Sequence, residues 1–262
     1  MLVFSAIVPH PPILIPNVGK ENLDKLKKTI SALEILENDL LAARPDMAII
    51  ISPHGEINFN AFTINTNQIY KADFRNFGDF ATKLQFKPDL EFINALRGKN
   101  ETTSPMKLIS SERLDHGSAV PLYYLLRRLP KTNIVPINYC FLSYEKHLEF
   151  GAMIKETIFS SDKRCALIAS GDLSHRLSLR APAGFSPQAK EFDKKLMQLL
   201  KKKNADAILN LDPKLIEEAG ECGLRSILIL LGAIKEMNFE FEILSYEAPF
   251  GVGYLVGEFR FA

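Results

Sequence analysis

The sequence has few cysteines, and their arrangement argues against a disulfide-stabilised domain and a thiolate zinc finger. Cys140, Cys165 and Cys222 are the only three, they are widely spaced, and no C-x-x-C pair occurs. An odd number of scattered cysteines does not suit a disulfide framework, and the lack of paired cysteines excludes a thiolate zinc finger. This cysteine content is typical of a reducing compartment, so we expect a cytoplasmic location.

Long apolar runs and a large net charge are also absent. No apolar run approaches the roughly 18 residues that a transmembrane helix needs. The apolar N-terminus lacks the basic residues of a signal peptide and is interrupted by His10, Pro11 and Pro12. Lys and Arg total 32 against 31 Asp and Glu, a net charge of +1. We therefore expect neither a membrane nor a nucleic acid as a partner.

The common sequence signatures of nucleotide binding and hydrolysis are missing. There is no G-x-G-x-x-G, no Walker loop, no G-x-S-x-G elbow and no H-E-x-x-H. The sequence therefore gives no support for a dinucleotide-binding enzyme, a P-loop NTPase, an α/β-hydrolase or a zincin-type protease.

The pattern that is present alternates short apolar strands with amphipathic helices. Strands are predicted at 2–8, 47–51, 61–65, 134–138, 166–170, 239–246 and 252–261. Helices are predicted at 21–43, 89–97, 120–129, 144–159, 187–201 and 224–235. This alternation predicts an α/β layered domain with a largely parallel sheet, closed by an antiparallel hairpin. No repeat or linker divides residues 1–262, so we expect a single domain.

Four of the five histidines follow predicted strands or lie in turns rich in glycine and proline. His10 stands in V-P-H-P-P, His54 in S-P-H-G, His116 in L-D-H-G-S and His175 in S-G-D-L-S-H-R. Ligands bind at the carboxyl ends of strands in open α/β sheets, so these histidines are expected to converge on one cleft. Two or three histidines with one anionic residue form a metal site with open positions. The fifth, His147, lies mid-helix and is expected to be a packing or surface residue.

Six motifs occur in order along residues 3 to 260. They are the four histidine motifs, then E-C-G-L-R-S and S-Y-E-A-P-F-G-V-G-Y. Together they resemble the catalytic subunits of class III extradiol dioxygenases, of which the protocatechuate 4,5-dioxygenase β subunit is the type member. The nearest similarity is to the Memo-like branch, often found alongside AMMECR-type and radical-SAM proteins. The resemblance implies a three-layer α/β/α sandwich around a mixed, largely parallel central sheet.

The resemblance also implies a non-haem Fe(II) site with His10 and His54 as metal ligands. In the ring-cleaving enzymes the third ligand is a glutamate that precedes a glycine at the start of a late helix. The sequence here reads G-E-C-G at that point, so Cys222 falls on the ligand position, as a cysteine does in the Memo-like branch. Glu221 and Glu247 are the alternatives. Because a thiolate is softer than a carboxylate, Zn or Cu stays open beside Fe(II).

By the same resemblance, His175 is the base that deprotonates a substrate hydroxyl and His116 is a second acid–base residue. The expected function is cleavage of a small catecholic aromatic by O2. Arg176, Arg180 and Arg225 are candidates to hold a substrate carboxylate. The alternative is a Memo-like metal-binding protein in redox chemistry or protein modification, with an AMMECR-type or radical-SAM partner. A structural or peptide-binding relative is a third hypothesis, and an apolar surface helix is compatible with a homodimer.

Overall fold

Strands and helices alternate along residues 1–99 and 105–261, which a computed structural model describes. The strands are β1 (Leu2–Val8), β2 (Met47–Ser52), β3 (Phe62–Asn65), β4 (Tyr70–Phe74), β5 (Asp79–Phe86), β6 (Met106–Ile109), β7 (Asn133–Asn138), β8 (Cys165–Ser170), β9 (Phe239–Glu247) and β10 (Tyr254–Phe261). The α-helices are α1 (Pro16–Gly19), α2 (Lys27–Ala43), α3 (Leu90–Lys99), α4 (His116–Leu125), α5 (Tyr144–Phe159), α6 (Ala189–Lys201), α7 (Ala205–Leu209), α8 (Pro213–Ala219) and α9 (Leu224–Ala233).

The central sheet has the strand order β6-β3-β7-β2-β8-β1-β10-β9. Pairing is parallel for β6 with β3, β7 with β2, β2 with β8 and β8 with β1. It is antiparallel for β3 with β7, β1 with β10 and β10 with β9. The predictions of a mixed, largely parallel sheet and a closing hairpin are therefore confirmed. Since β1, β2 and β8 run in one direction, the segments that follow them leave the sheet at the same edge.

Helices cover both faces of this sheet. In β2, Ile49 and Ile51 enter a core with side chains of α3, α5, α6 and α9. The alternate residues Ala48 and Ile50 enter a second core with side chains of α2 and α4. Successive side chains of a strand point to opposite faces, so a strand that is apolar at every position requires cover on both sides. The predicted three-layer α/β/α architecture is confirmed.

Residues 70–86, which lie between the predicted strand at 61–65 and the predicted helix at 89–97, form a separate two-stranded hairpin. β4 and β5 pair antiparallel around a short 3-10 turn, Arg75–Phe77. Tyr70 and Phe74 of β4 are buried in the core shared by α2 and α4. Gly78 ends the turn with a φ of +88°, a conformation that favours glycine. The hairpin therefore lies against the helix layer that carries His116.

Some short elements were not predicted, and the predicted start of the first long helix was wrong. β6, α7 and α8 have only four to seven residues, too few for a periodic apolar pattern. Residues Lys20–Leu26 form a 3-10 helix rather than the first turns of α2. No helix in the described residues is long and apolar enough to cross a membrane.

Glu37 is a buried carboxylate that joins α2 to the segment after α4. Its Oε1 accepts hydrogen bonds from Nε of Arg127 at 2.7 Å and from Nε of Arg128 at 2.9 Å. Burial acts to raise the pKa of Glu37, but the hydrogen bonds from the two arginines outweigh it, and the pKa lies below the ordinary 4.5. The ionised carboxylate is therefore part of the folded structure.

We expect Glu37→Gln to lower the free energy of unfolding by about 1–2 kcal/mol at neutral pH, because charge-assisted bonds to half-exposed arginines are lost. A group with a depressed folded-state pKa stabilises above its unfolded-state pKa and loses that effect as pH falls through the folded-state value. Urea denaturation should therefore show the difference from wild type shrinking as pH falls below 4.5. A difference that stays constant into acid would contradict this assignment.

Candidate metal centre

Three side chains that are far apart in sequence present ligand atoms to one another at the carboxyl edge of the sheet. Nε2 of His10 lies 2.9 Å from Nε2 of His54 and 3.7 Å from Sγ of Cys222. The ligand atoms of the three residues all lie within 4.8 Å of one another. Ligands at about 2.0–2.3 Å from one shared ion have comparable separations. The structure thus brings together three of the five residues predicted as ligands.

His10 is held in the tautomer that this arrangement needs. Its Nδ1 lies 2.9 Å from Oγ of Ser170, whose hydroxyl donates to the carbonyl of Gly117 at 2.5 Å. A serine hydroxyl has one hydrogen, so Ser170 accepts from Nδ1–H, and Nε2 of His10 carries the lone pair that faces His54 and Cys222. Burial, with the neighbouring histidines, lowers the pKa of His10 well below 6.5. The ring is therefore neutral, as a metal ligand must be.

Cys222 reaches the histidines because two loops approach each other backbone to backbone. Its Sγ accepts from the N–H of Asp172 at 3.3 Å, and its own N–H donates to the Asp172 carbonyl at 3.3 Å. A Cβ added at Gly171 would overlap the Cα of Gly223, so glycine is required for this approach. Burial raises the pKa of the Cys222 thiol well above 9.0. Binding of a metal ion would therefore displace a proton from this thiol.

We expect Gly171→Ala to move Cys222 away from the two histidines. Overpacking at this contact should lower the free energy of unfolding by about 1–3 kcal/mol. Displacing a ligand by a fraction of an ångström should weaken zinc affinity by about tenfold or more. Zinc competition titration measures the second effect. Gly98→Ala is the control, because a Cβ there meets open space, and unchanged zinc affinity in folded Gly171→Ala would count against the role of this contact.

The ring of His54, one of the three ligand residues, stacks on the ring of His116. Their ring centroids are 4.3 Å apart with an interplanar angle of 23°. Burial lowers the pKa of His54 to about 4 and also lowers the pKa of His116.

α4 begins at His116 because the Asp115 side chain accepts from the N–H of Ser118 at 3.0 Å. The predicted start at residue 120 was wrong, since Pro121 lies inside the helix rather than in its first turn.

His175 and Asp172 form a pair beside His10. Oδ2 of Asp172 lies 3.9 Å from Nε2 of His175 and 3.9 Å from Nε2 of His10. Burial lowers the pKa of His175 and raises the pKa of Asp172 to about 7. Nδ1 of His175 is buried and has no hydrogen-bond partner among the described residues. His175 is thus a neutral base with a carboxylate close enough to stabilise its protonated form.

Sequence reasoning missed Asp172, although it stands in the same motif as His175, three residues earlier. Asp172 contacts two of the ligand residues: its backbone N–H and carbonyl bond Cys222, and its side chain bonds His10. The N–H of His10 donates to Oδ1 of Asp172 at 3.0 Å. An acidic residue within three positions of a strand-end histidine was the available signal.

Glu221 and Glu247 lie outside the group of ligand atoms. Oε2 of Glu221 accepts from the N–H of Leu224 at 2.6 Å and so caps α9. Oε1 of Glu247 accepts from the N–H and the hydroxyl of Thr29 at 2.8 and 2.6 Å. The mid-helix His147 is buried, with ring nitrogens 2.8 and 3.1 Å from two backbone carbonyls. Each of these side chains therefore has a local structural partner.

Comparison with protein-family models gives a match over residues 5–257 to the catalytic LigB subunit of aromatic ring-opening dioxygenase. The chain belongs to this family. The match covers nearly the whole sequence and includes all the residues of the ligand group.

This LigB-family chain is also similar to individual proteins and to a solved structure. Protein CA_C1420 of Clostridium acetobutylicum is 33% identical over 260 residues, covering 95% of this chain and 55% of that protein, so the chain spans about half its length. The 2-aminophenol 1,6-dioxygenase beta subunit of Pseudomonas sp is 24% identical over 286 residues, covering 99% of this chain and 94% of that one. The crystal structure of uncharacterized protein JW3007 from Escherichia coli K12 has the same fold, with a TM-score of 0.66, 15% identity and coverage of 98% and 99%.

A cavity of about 320 Å³ lies beside the ligand group of this LigB-family chain. His54 and His116 line it, together with Phe77 of the β4–β5 hairpin and Arg113 of the segment before α4. The Phe77 ring stands edge-on to His116, with centroids 5.4 Å apart. A cavity of about 150 Å³ is enough to hold benzene. The space therefore accommodates one substituted aromatic ring next to the histidines.

Proposed function

We propose that the protein is a metal-dependent oxidoreductase of the extradiol dioxygenase type, which opens the ring of a small aromatic compound with two adjacent donor groups. The observation that carries this proposal is the convergence of His10, His54 and Cys222 beside a cavity that fits one ring. Membership of the LigB family supports the reaction type. Similarity to the beta subunit of a 2-aminophenol dioxygenase supports a single-ring substrate, either a catechol or an aminophenol.

The donor set suits a transition metal ion, with Fe(II) as the first choice. Two neutral imidazoles and one thiol leave open positions for substrate and O2. The tautomer of His10, fixed by Ser170, directs its lone pair toward the other two ligand atoms. When bound, the metal would acidify the substrate hydroxyl and allow electrons to pass from the ring to O2.

The protein's own residues would move the protons. His175 accepts the proton of the ring hydroxyl at its Nε2, and Asp172 at 3.9 Å stabilises the resulting cation. The proton held by His175 would return to the product as the ring opens, while His116, stacked on His54 at the cavity wall, would hydrogen-bond the reacting oxygen as the second acid–base residue. The Phe77 ring, edge-on to His116, would supply an apolar contact for the substrate ring.

A second candidate is a Memo-like metal-binding redox protein that does not cleave rings. The thiol of Cys222 favours it, because thiolate suits Cu(I) or Zn better than a carboxylate does. A thiolate is also oxidised by the O2 that ring cleavage would use. In this case we expect an AMMECR-type or radical-SAM protein as partner.

We also propose that residues 1–262 form one domain in the cytoplasm. The three cysteines are free in the structure, which supports a reducing compartment. The similarity to a protein named as a beta subunit supports assembly with other chains, either as a homodimer or with a second subunit.

Oxygen uptake by anaerobically Fe(II)-loaded protein tests the proposal. The substrate panel should contain catechols and 2-aminophenol, with His175→Ala as the control. Uptake equal to substrate consumed, with a coloured ring-opened product, is the expected result. Full iron occupancy without uptake on any member of the panel would reject ring cleavage and leave the metal-binding redox protein.

A further inference from the structure

Asp193 is a buried carboxylate that the proposed mechanism does not use. It lies in α6 and is 1% exposed, whereas carboxylates are rarely buried so fully without partners. Its Oδ1 accepts from the N–H of Ser174 at 2.9 Å, and its Oδ2 accepts from the hydroxyl of Tyr246 at 2.6 Å. Burial raises the pKa of Asp193, and these two hydrogen bonds oppose the rise. The carboxylate therefore joins α6 to β9 and to the segment that follows β8.

Ser174 belongs to the segment that carries the proposed base, since it stands between Asp172 and His175. Besides the N–H that the carboxylate binds, its hydroxyl donates to the carbonyl of Ala189 at 2.8 Å. Its own carbonyl accepts from the N–H of Gly253 at 2.8 Å. All three polar groups of Ser174 are thus bonded, and the backbone next to His175 is held from two sides.

The glycine-rich motif that contains Tyr246 packs against the same segment. The N–H of Leu173 donates to the carbonyl of Gly253 at 2.8 Å. A Cβ added at Gly253 would lie 2.3 Å from Oδ2 of Asp193, so the carboxylate occupies the space that a side chain would take. The last of the six sequence motifs therefore packs against the segment that carries the base.

No hydrogen bond from a described residue orients the ring of His175. Its Nδ1 is buried and unpartnered among those residues, and its Nε2 lies 3.9 Å from Oδ2 of Asp172, beyond hydrogen-bond distance. The backbone N–H of His175, in contrast, donates to the carbonyl of Ala219 at 3.0 Å. The direction of the ring therefore depends on how the backbone of residues 172–175 is held.

We propose that Asp193 and Tyr246 are positioning residues, which hold the backbone before His175 so that its ring faces the metal centre. Asp193 fixes Ser174, and the place of Ser174 determines where the adjoining base lies. A displacement of about 1 Å at a catalytic group can lower the rate about a hundredfold. This inference rests on the proposed function, because His175 is taken there as the base.

NMR of zinc-loaded protein with isotope-labelled histidine tests the positioning without turnover. The sequence has only five histidines, and His175→Ala identifies the signal of that ring. Asp193→Ala and Tyr246→Phe should shift the His175 signal and leave the His147 signal unchanged. Asp193→Asn, which keeps an acceptor for Ser174, should restore it. Glu37→Ala is the control and should shift neither signal, because it removes a buried carboxylate that binds arginines instead.

Oxygen-uptake kinetics on Fe(II)-loaded protein measure the effect on the reaction. Asp193→Ala should lower kcat by about a hundredfold and leave KM unchanged, because the residues at the metal centre and the cavity are retained. Tyr246→Phe should lower kcat by about tenfold, since it removes one of the two hydrogen bonds. Combined with His175→Ala, Tyr246→Phe should have no further effect, because Tyr246 acts through the base. Glu37→Ala should leave turnover per folded molecule unchanged.

The outcomes separate this inference from the function on which it rests. An unchanged His175 signal in folded Tyr246→Phe would overturn the positioning role and leave ring cleavage intact. So would an equal loss of kcat from Tyr246→Phe with and without His175. No uptake by the wild type would reject ring cleavage, and the His175 signal would then decide alone whether the pair holds this ring. Unfolding of Asp193→Ala would leave the decision to Tyr246→Phe, which removes only a hydroxyl.

Discussion

Cys222→Ala is expected to lower the affinity of the protein for zinc by about a hundredfold or more, because one of three converging ligands is removed. His10→Ala and His54→Ala should have effects of the same size. The Sγ of Cys222 lies 3.7 Å from Nε2 of His10, and no other thiol belongs to the group in the described residues. Competition with a coloured chelator measures the affinity, and circular dichroism verifies the fold.

Two controls make this experiment specific for Cys222. Cys140→Ala removes another cysteine of the α/β core, which is buried and lies outside the ligand group, so zinc affinity should be retained. Glu221→Gln and Glu247→Gln should also retain it, since those carboxylates bind Leu224 and Thr29. Loss of zinc in Glu221→Gln with retention in Cys222→Ala would transfer the ligand role to Glu221.

His175→Ala is expected to keep the metal and to lose turnover by about 10²–10⁴-fold, the usual contribution of a general acid or base. His175 is outside the three-residue ligand group, and its Nδ1 has no partner among the described residues. Burial lowers its pKa, so the ring is neutral and able to accept a proton at pH 7. Metal stoichiometry and oxygen-uptake kinetics on the same preparation give both quantities.

The His175→Ala experiment needs a control at a buried histidine that takes no part in catalysis. His147 is also buried, but its ring nitrogens lie against two backbone carbonyls. His147→Gln should lower the free energy of unfolding and leave turnover per folded molecule unchanged. Loss of metal in His175→Ala would make His175 a ligand, and unchanged turnover would remove it from the mechanism.

Much of the fold was accessible from the sequence because apolar runs mark the buried strands. β1 and α5 begin and end where the pattern predicts. A strand buried on both faces needs an apolar residue at every position, which leaves a strong signal even in six or seven residues. The same logic placed His10, His54 and His175 at one edge of the sheet, since each follows a parallel strand.

The third ligand could not be decided from the sequence, because Glu221 and Cys222 are adjacent. Their directions depend on the contact between Gly171 and Gly223, which brings together loops about 50 residues apart. In the folded chain Glu221 turns back to cap α9, while Cys222 points toward His10. Local patterns carry no information about such a contact.

The cavity could not be predicted from the sequence for a related reason. Its walls combine residues that follow β2 with residues of β7, the β4–β5 hairpin, the segment before α4 and the start of α4. Arg113 follows no strand-end motif and belongs to no apolar pattern. The sequence pattern therefore indicated Arg176, Arg180 and Arg225 instead. Only the tertiary arrangement shows which cation shares a space with the histidines.

X-ray absorption spectroscopy of the zinc-loaded protein tests most directly the claim that His10, His54 and Cys222 hold one metal ion. The account predicts one sulfur scatterer at about 2.3 Å and imidazole nitrogens at about 2.0–2.1 Å. The sulfur signal should disappear in Cys222→Ser and persist in Cys140→Ala. A wild-type spectrum with nitrogen and oxygen ligands and no sulfur would contradict the assignment of Cys222 and the mixed donor set.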